Sequence, residues 1–275
     1  MSGLGCAGLA EDVKSPEVEK NKDNMPTPLK PLKWYKKLAT KKGRLEAGVF
    51  IVEGDKAIKQ IIASQPNEII EILTMEDPLP IYDNYTMRLL TESQFSAISS
   101  TKTPQGTVAV VNLPADISSG CLPKEAGNKI LLLEDIQDPG NVGTLIRTAA
   151  AFDFSGVIMT EKSADPMSPK CVRATAGTLL SVWLRRTARY LELARALKKV
   201  GYPLIAAELN GISEPSILSR QNKLVLALGN EATGLSKEFL DIADYRLRIP
   251  TIRDKAESLN VAACGAICMY LSSKG

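Results

Sequence analysis

The fold class of this chain follows from the stretch KILLLEDIQDPGNVGTLIRTAAAF, residues 129–152. Its run ILLL is wholly apolar, which is typical of a strand buried on both faces of a parallel sheet. An Asp-Pro-Gly-Asn turn follows, and TLIRTAAAF then predicts a helix because its apolar residues recur at helical spacing. A strand that runs through a turn into a helix indicates an α/β unit.

The same alternation of strands and helices continues through the rest of the chain. The pattern predicts strands at GVIMT, SVWLRR, YPLIAAEL, KLVLALG and YRLRI, and helices near SPKCVRATAGT, at YLELARALKKV, after Ser236 and from about Lys255. Because these strands are almost wholly apolar, we expect residues 129–275 to form an α/β domain with a mostly parallel sheet covered on both faces.

A shorter alternation precedes this domain. It begins with a basic helix and continues with the strand GVFIVEG, the helix DKAIKQIIAS, the strands EIIEILTM and MRLLT, a helix around ESQFSAIS and the strand GTVAVVNL. We predict a small α/β domain over residues 32–112. Residues 113–128 are rich in Pro, Gly and Ser and predict a linker. Residues 1–31 have few large apolar groups and predict a flexible tail.

The composition excludes several classes of function. The 275 residues contain no histidine, which removes Ser-His-Asp and Cys-His nucleophiles, histidine metal sites and the commonest general base. The five cysteines are scattered without a C-x-x-C pair, so we expect neither disulfides nor a metal site. No apolar stretch approaches the roughly 20 residues of a membrane-spanning helix, and the N-terminal region is polar. We therefore expect a cytoplasmic protein without a membrane partner.

Three segments of the larger domain stand where predicted strands end, which is where ligands bind in open α/β sheets. They are DPGNVGTLIR (138–147), LALGNEATGLS (226–236) and RIPTIRDKAESLNVAACGAICMY (248–270). Glycines there allow backbone groups to approach a ligand. Small residues at helical spacing in the third segment indicate that another backbone packs close to it. Taken singly, residues such as Asn141 are more often turn or cap residues than catalytic ones.

The order and spacing of these segments resemble the SpoU (TrmH-like) branch of the SPOUT RNA methyltransferases. DPGNVGTLIRTAAAFDFSGV resembles the first motif of that family, LALGNEATGLS the second and IPTIRDKAESLNVAACGAICMY the third, and SPKCVRATAG matches a further segment. GVFIVEG and TPQGTVAVV resemble parts of the small substrate-binding domain that many members carry. The resemblance extends from about Leu32 to the C-terminus.

The resemblance implies a fold and a reaction. It implies a parallel sheet whose C-terminal segment is threaded into a deep trefoil knot, an exception to the rule that chains do not knot. It further implies S-adenosylmethionine as the cofactor, methylation of a ribose 2′-hydroxyl in RNA, and a homodimer with the site near the subunit interface. Large-subunit ribosomal RNA is the expected substrate, because relatives with the added small domain act on ribosomal RNA. Transfer RNA is the alternative.

The resemblance also assigns roles to individual positions. The backbone of three residues is expected to hold the cofactor: Gly229, Ile249 and Leu259. The polar residues expected around the reacting ribose are Asn141, Arg147, Glu231, Ser258 and Asn260. A glycine and two apolar residues in strand or loop positions also suit an adenine pocket that uses main-chain hydrogen bonds.

Methyl transfer from a sulfonium requires the ribose oxygen to be held in line and its proton to be removed. The family assigns the base role to the arginine of the first motif, but the pKa of a guanidinium lies above about 12. We expect Arg147 instead to hold a phosphate and to stabilise the developing alkoxide. The proton then leaves to a phosphate oxygen, to water or to a carboxylate. Glu231 is the nearest candidate carboxylate, and its alternative role is to orient Arg147 or Asn141.

The stretch KPLKWYKKLATKKGR, residues 30–44, holds seven Lys or Arg residues and no acidic residue. Such a run favours phosphate contact, although it is also typical of a solvated helix face. The predicted RNA-binding side chains are Lys33, Lys36, Lys37, Lys41, Lys42, Arg44 and Arg173. Trp34 and Tyr35 either stack on bases or pack the helix onto the small domain, and packing is the commoner use of aromatic residues.

Two other classes of function fit parts of the sequence. The first is a catalytically silent RNA-binding protein with the same fold, which the intact polar positions disfavour. The second is a nicotinamide oxidoreductase. It rests on GLGCAG, from Gly3 to Gly8, which matches G-x-G-x-x-G. No predicted strand precedes this motif, so it lacks its structural context.

Overall fold

Two β-sheets organise the chain. The computed structural model describes residues 30–99, 101, 104–252, 254–255 and 258–274. The motif GLGCAG and all of the predicted tail except Lys30 and Pro31 lie outside the described residues. Within the described part of the chain, no helix is both long and apolar enough to span a bilayer.

The strands lie close to their predicted positions. In chain order they are Val49–Glu53 (β1), Ile69–Thr74 (β2), Thr86–Leu89 (β3), Thr107–Asn112 (β4), Lys129–Leu133 (β5), Gly156–Met159 (β6), Trp183–Arg186 (β7), Leu204–Ala207 (β8), Leu224–Leu228 (β9) and Tyr245–Leu247 (β10). The first sheet has the order β1-β4-β2-β3, and the second has the order β10-β8-β9-β5-β6-β7. The first sheet is mixed, because only β2 and β3 pair in parallel.

The helices connect these strands. In chain order the α-helices of the described residues are Leu32–Lys37 (α1), Lys41–Ala47 (α2), Asp55–Ser64 (α3), Glu92–Ser96 (α4), Pro139–Ala151 (α5), Pro169–Thr175 (α6), Tyr190–Lys199 (α7), Lys237–Leu240 (α8) and Val261–Ser272 (α9). Strands and helices alternate along the chain as predicted.

The second sheet has the architecture that residues 129–152 predict. All of its strand pairs are parallel. Along β5, Leu131 and Leu133 belong to a buried cluster with α5 and α9, whereas Ile130 and Leu132 belong to a second cluster with α7. Because side chains alternate between the faces of a strand, helices cover both faces of this sheet. The predicted mostly parallel sheet with two covered faces is confirmed.

Helix α5 begins at Pro139, not at Thr144 as predicted. Asp138 is its N-cap, and the carboxylate accepts hydrogen bonds from the backbone nitrogens of Gly140 at 2.6 Å and Asn141 at 3.1 Å. Pro139 stands in the first turn, where a backbone N–H has no helical partner. The predicted Asp-Pro-Gly-Asn turn is therefore the capped first turn of the helix, and Asn141 lies on it.

Helix α9 begins at Val261, so the predicted start near Lys255 is wrong. The side-chain oxygen of Asn260 accepts hydrogen bonds from the backbone nitrogens of Ala262 at 2.9 Å and Ala263 at 3.3 Å. A residue that caps a helix in this way is not itself helical. Leu259 consequently lies in the loop before α9 and not on a helical face.

The basic stretch 30–44 forms α1 and the start of α2 instead of one helix. Thr40 separates them, because its hydroxyl accepts a hydrogen bond from the backbone nitrogen of Gly43 at 3.0 Å and caps α2. Tyr35 is fully buried and its hydroxyl donates to Glu71 at 2.8 Å. The packing alternative is correct for Tyr35, and its burial contradicts stacking on a base.

The predicted RNA-binding role of Arg44 is also wrong, because this side chain is only 4% exposed. Its guanidinium donates to the carbonyl oxygens of Leu38 at 2.9 Å and Ala39 at 3.0 Å, and to the carboxylate of Asp165 at 2.6 Å. A guanidinium held in this way does not reach a phosphate. Arg44 instead ties α2 to the segment before α6.

The first sheet packs directly on the second. One buried cluster contains Phe50 and Ile58 together with Leu131 of β5. The approach is close at Gly177, where a Cβ atom would lie 2.4 Å from the carbonyl oxygen of Ala57. The two sheets therefore share a core and are joined by more than a connecting segment.

The connecting segment 113–128 is itself packed against β7. The carbonyl oxygen of Ile117 accepts a hydrogen bond from the backbone nitrogen of Arg186 at 2.6 Å. Asp116 pairs with the buried guanidinium of Arg185 at 2.5 Å. The Pro-, Gly- and Ser-rich composition thus belongs to an ordered connection.

Helix α9 packs closely on the centre of the second sheet. A Cβ atom on Gly265 would lie 2.4 Å from Leu145 of α5 and 2.7 Å from Leu228 of β9. The small residues of the third segment therefore allow the close approach that the sequence predicts.

We expect Gly265→Val to lower the free energy of unfolding by about 1–3 kcal/mol, because the added methyl groups overpack this contact. Urea titration followed by circular dichroism measures the change. Ala63→Val is the matched control, since Ala63 is exposed on helix α3 and only helix propensity changes there, by less than about 1 kcal/mol. Equal losses for both variants would contradict the packing argument.

Candidate active site

A cavity of about 310 Å³ lies at the carboxyl edge of the second sheet. Its walls come from the ends of β8, β9 and β10 and from the loop before α9. The cavity brings together five residues that the sequence predicts for the site: Gly229, Glu231, Ile249, Ser258 and Leu259. The carboxyl edge is the position at which open α/β sheets bind ligands.

The loop of residues 229–236, which follows β9, forms one wall of the cavity. A Cβ atom on Gly229 would lie 2.2 Å from the carbonyl carbon of Gly234 and 2.3 Å from the backbone nitrogen of Leu235. The backbone nitrogen of Gly234 also donates to the carbonyl oxygen of Asn230 at 2.9 Å. The loop therefore folds back on itself so tightly that only glycine fits at position 229.

The polar site residues form a hydrogen-bonded chain beside this cavity. The amide nitrogen of Asn141 donates to Glu231 at 2.9 Å, and the amide nitrogen of Asn260 donates to the side-chain oxygen of Asn141 at 3.1 Å. The chain connects α5, the loop after β9 and the start of α9. Glu231 makes no other side-chain hydrogen bond to the described residues, so its second carboxylate oxygen remains available.

Asp138 fixes the position of Asn141 from the other side. Its carboxylate accepts a hydrogen bond from Lys170 of α6 at 2.7 Å in addition to those from the first turn of α5. The hydrogen bond from Lys170 is the main cause that lowers the pKa of Asp138. A carboxylate that stays charged at a helix N-terminus stabilises the helix. Both the backbone and the side chain of Asn141 are thereby held in place.

Arg147 does not join this hydrogen-bonded chain. It is exposed on α5 and makes no hydrogen bond or ion pair with another described residue. It follows Asn141 by six residues, which is about 9 Å along a helix axis. Its guanidinium is therefore available to an anion from outside the protein.

The remaining basic residues border the junction between the two sheets. The exposed lysines of α1 and α2 are Lys33, Lys36, Lys37, Lys41 and Lys42. Arg173 is exposed on α6, and it lines a small cavity together with Leu38 and Ala39 at the end of α1. Arg173 thus lies beside the lysine-bearing helices.

Further polar residues line the cavity that were not predicted as site residues, among them Glu208, Asn210 and Thr251. Glu208 and Asn210 follow β8, and Thr251 follows β10. The signal that identifies them is their position, because each lies within four residues of the end of a strand of a parallel sheet.

The residues of the cavity fit S-adenosylmethionine. Leu228, Leu247 and Ile249 supply apolar walls for a flat ring, and Glu208 and Ser258 supply polar groups for hydroxyl, amine and carboxylate functions. Cavities of about 300–1,000 Å³ with this mixed lining hold small molecules in proteins. The backbone exposed at Gly229 offers hydrogen-bonding groups without a side chain in the way.

Two family models match the chain. The SpoU rRNA Methylase family matches residues 128–270, which include the second sheet and the cavity. The MRM3-like substrate binding domain matches residues 30–109, which include the first sheet and the lysine-bearing helices.

Known proteins are similar over most of the chain. The 23S rRNA (guanosine(2553)-2′-O)-methyltransferase RlmP of Bacillus subtilis is 31% identical over 244 residues, which are 87% of this chain and 94% of the relative. A solved structure of a TrmH family protein from Porphyromonas gingivalis is 31% identical with a TM-score of 0.75, and covers 88% of this chain and 96% of its own. An AdoMet-bound rRNA methyltransferase from Sinorhizobium meliloti is 27% identical with a TM-score of 0.75, with coverages of 88% and 93%. The chain belongs to the SpoU rRNA Methylase family and has the α/β fold of SPOUT methyltransferases.

Proposed function

We propose that this protein transfers a methyl group from S-adenosylmethionine to a ribose 2′-hydroxyl in large-subunit ribosomal RNA. The observation that carries the proposal is the hydrogen-bonded chain of Glu231, Asn141 and Asn260 beside the cavity. Polar groups with fixed orientation next to a small-molecule pocket are what transfer to a hydroxyl requires.

Relatives support ribosomal RNA as the substrate. The Bacillus subtilis relative is named as a 23S rRNA 2′-O-methyltransferase, and the Sinorhizobium meliloti structure is that of an rRNA methyltransferase with AdoMet bound. The match to an MRM3-like substrate binding domain over residues 30–109 adds a part that would bind the substrate.

S-adenosylmethionine supplies, when bound, a methyl carbon that is activated by a sulfonium. The backbone groups of Gly229, Ile249 and Leu259 hold its adenine through main-chain hydrogen bonds in this proposal. Leu228 and Leu247 line the same cavity and exclude water from the ring.

The hydrogen-bonded chain removes the proton of the ribose hydroxyl. Asn141 occupies one oxygen of Glu231, and the other oxygen accepts the proton from the 2′-hydroxyl. Asn260 turns the amide of Asn141 so that its nitrogen faces Glu231. Ser258, which lines the cavity, hydrogen-bonds the target nucleotide.

Arg147 binds the phosphate next to the target ribose. It is exposed and has no partner among the described residues. Arg44, by contrast, has a structural role, because its guanidinium is buried and hydrogen-bonded to other residues of the protein. The guanidinium of Arg147 also stabilises the negative charge that develops on the ribose oxygen.

The RNA extends from the cavity toward the small domain. We assign RNA binding to residues 32–112, with 113–128 as the connection and 129–275 as the catalytic domain. The exposed lysines of α1 and α2 and Arg173 of α6 are the phosphate contacts. The cytoplasmic location stays a prediction.

A deep trefoil knot in the C-terminal segment is part of this proposal. Strand β10 lies at the edge of the sheet beside β8, yet the following helix α9 packs at the centre against Leu145 and Leu228. Thr251, Ser258 and Leu259, which are described residues between β10 and α9, line the cavity together with the loop 229–236. A threaded segment follows such a path.

We further propose a homodimer in which α9 contributes to the interface. The twelve residues VAACGAICMYLS of α9 include no charged residue. Ile267 and Tyr270 of this helix are 38% and 47% exposed. A helix that is apolar all round is ordinarily buried, and a second copy of the chain buries it here.

We expect Arg147→Ala to lower kcat for methyl transfer by about 100-fold or more, because a group that stabilises the transition state is lost. Transfer of labelled methyl from S-adenosylmethionine to total RNA and to assembling ribosomal particles, followed by nuclease mapping, measures the rate and identifies the nucleotide. Arg195→Ala is the matched control, since Arg195 is exposed on the distant helix α7. Cofactor binding by the wild type without transfer to any RNA would favour the catalytically silent protein.

Gly229→Val is expected to abolish binding of S-adenosylmethionine, because its side chain collides with the backbone of Gly234 and displaces the cavity wall. Isothermal titration calorimetry measures the loss. RNA binding by the same variant serves as the internal control and should be unchanged. Cofactor affinity equal to that of the wild type would refute the assignment of this cavity.

Ile267→Glu should convert a homodimer into monomers, because a charge is then buried in an apolar interface. Sedimentation velocity distinguishes the two states. Ile212→Glu is the control, since Ile212 is 92% exposed in the loop after β8. A wild-type protein that sediments as a monomer would disprove the dimer.

A further inference from the structure

Two consecutive acidic residues, Glu134 and Asp135, hold the two ends of the loop 229–236. The carboxylate of Glu134 accepts a hydrogen bond from the backbone nitrogen of Ser236 at 3.0 Å. The carbonyl oxygen of Asp135 accepts a hydrogen bond from the side-chain amide of Asn230 at 2.8 Å. Both acidic residues directly follow β5, so the loop is fastened at each end to the neighbouring strand.

Glu134 is a buried carboxylate with two partners. It is 5% exposed, and its other oxygen accepts a hydrogen bond from the hydroxyl of Tyr190 at 2.5 Å. Burial and the contact with Glu134 raise the pKa of Tyr190 to about 12, so the hydroxyl remains a donor at neutral pH. A buried charge is tolerated when hydrogen bonds compensate its lost hydration.

Asp135 adopts a backbone conformation that is rare for a residue with a side chain. Its φ angle is 57°, in the left-handed region. Thr160, which follows β6, stabilises this conformation, because its hydroxyl donates to the Asp135 carboxylate at 2.7 Å and accepts from the Asp135 backbone nitrogen at 2.9 Å. Backbone strain of this kind persists where surrounding contacts hold it, often at functional sites. Here the residue with the left-handed backbone is also the residue whose carbonyl oxygen accepts the hydrogen bond from Asn230.

The loop 229–236 carries a residue for each part of the proposed chemistry, Gly229 for binding the cofactor and Glu231 for removing the proton. Gly229 and Glu231 line the cavity, and Glu231 begins the hydrogen-bonded chain through Asn141. Glu134 does not line the cavity, so it acts on a ligand only through the loop. A displacement of Ser236 would be transmitted along seven tightly folded residues to the cavity wall.

We infer that Glu134, together with Tyr190, is a positioning residue that sets the affinity for S-adenosylmethionine by holding the loop 229–236 in its binding conformation. The inference rests on the proposed function of the cavity. It predicts that losing the carboxylate weakens cofactor binding while leaving the RNA-binding surface and the oriented polar groups of α5 intact.

The test compares the Kd for S-adenosylmethionine of full-length variants by calorimetry. Glu134→Ala should raise this Kd about tenfold or more, since a charge-assisted hydrogen bond to the loop is lost. Glu134→Gln should stay within about threefold of the wild type, because its amide oxygen accepts from Ser236 and its amide nitrogen donates to the Tyr190 hydroxyl. Glu192→Ala is the matched control, since Glu192 is an exposed acidic residue on α7 that pairs with Arg189.

Tyr190→Phe provides a second variant if Glu134→Ala does not fold. It removes one partner of the carboxylate and keeps the contact to Ser236, and it should raise the Kd about threefold or more. An irreversibly misfolded fraction would instead lower the number of binding sites per molecule, while the Kd of the folded fraction would stay that of the wild type.

The outcomes separate this inference from the proposed function. If the wild type binds S-adenosylmethionine and folded Glu134→Ala or Tyr190→Phe binds it with the same Kd, the positioning role is overturned. The proposed function then stays in place. A wild-type protein that does not bind S-adenosylmethionine overturns both. A higher Kd that Glu134→Gln restores supports both.

Discussion

The side-chain amide of Asn141 is the contact on which the arrangement of the site depends. Its nitrogen donates to Glu231 and its oxygen accepts from Asn260, so a rotated amide would lose both hydrogen bonds. These partners are 90 and 119 positions away in the sequence. One planar group therefore sets the relative positions of three segments, and the cap at Asp138 keeps that group on the first turn of α5.

The parallel sheet makes this meeting of segments possible. Because all strands of the second sheet run in one direction, the loops after β5, β8, β9 and β10 emerge at the same edge. The loop after β9 is fastened to the residues after β5 through Ser236 and Asn230. The cavity, the polar chain and the contacts that support them thus form one continuous structure.

The small domain is fixed relative to this edge by a shared core and by Arg44. The basic residues of the stretch 30–44 have different roles. Arg44 is buried on Asp165, whereas Lys36 and Lys41 in the same stretch are exposed. The stretch therefore fastens the small domain and presents lysines on its outer side. The distance between these lysines and the cavity is therefore set by packing and not by a flexible linker.

Local patterns in the chain are sufficient to identify the strands, the parallel sheet and the segments at its carboxyl edge, because apolar periodicity and turn residues act over a few neighbours. The resemblance of those segments to a known family adds the site residues. Tertiary contacts settle the remainder: the start of α9 at the cap Asn260, the burial of Arg44 and the partners of Asn141 and Glu134. Each of these depends on a hydrogen bond or packing contact that folding forms, most of them between residues far apart in the chain, and no pattern of neighbouring residues encodes such a partner.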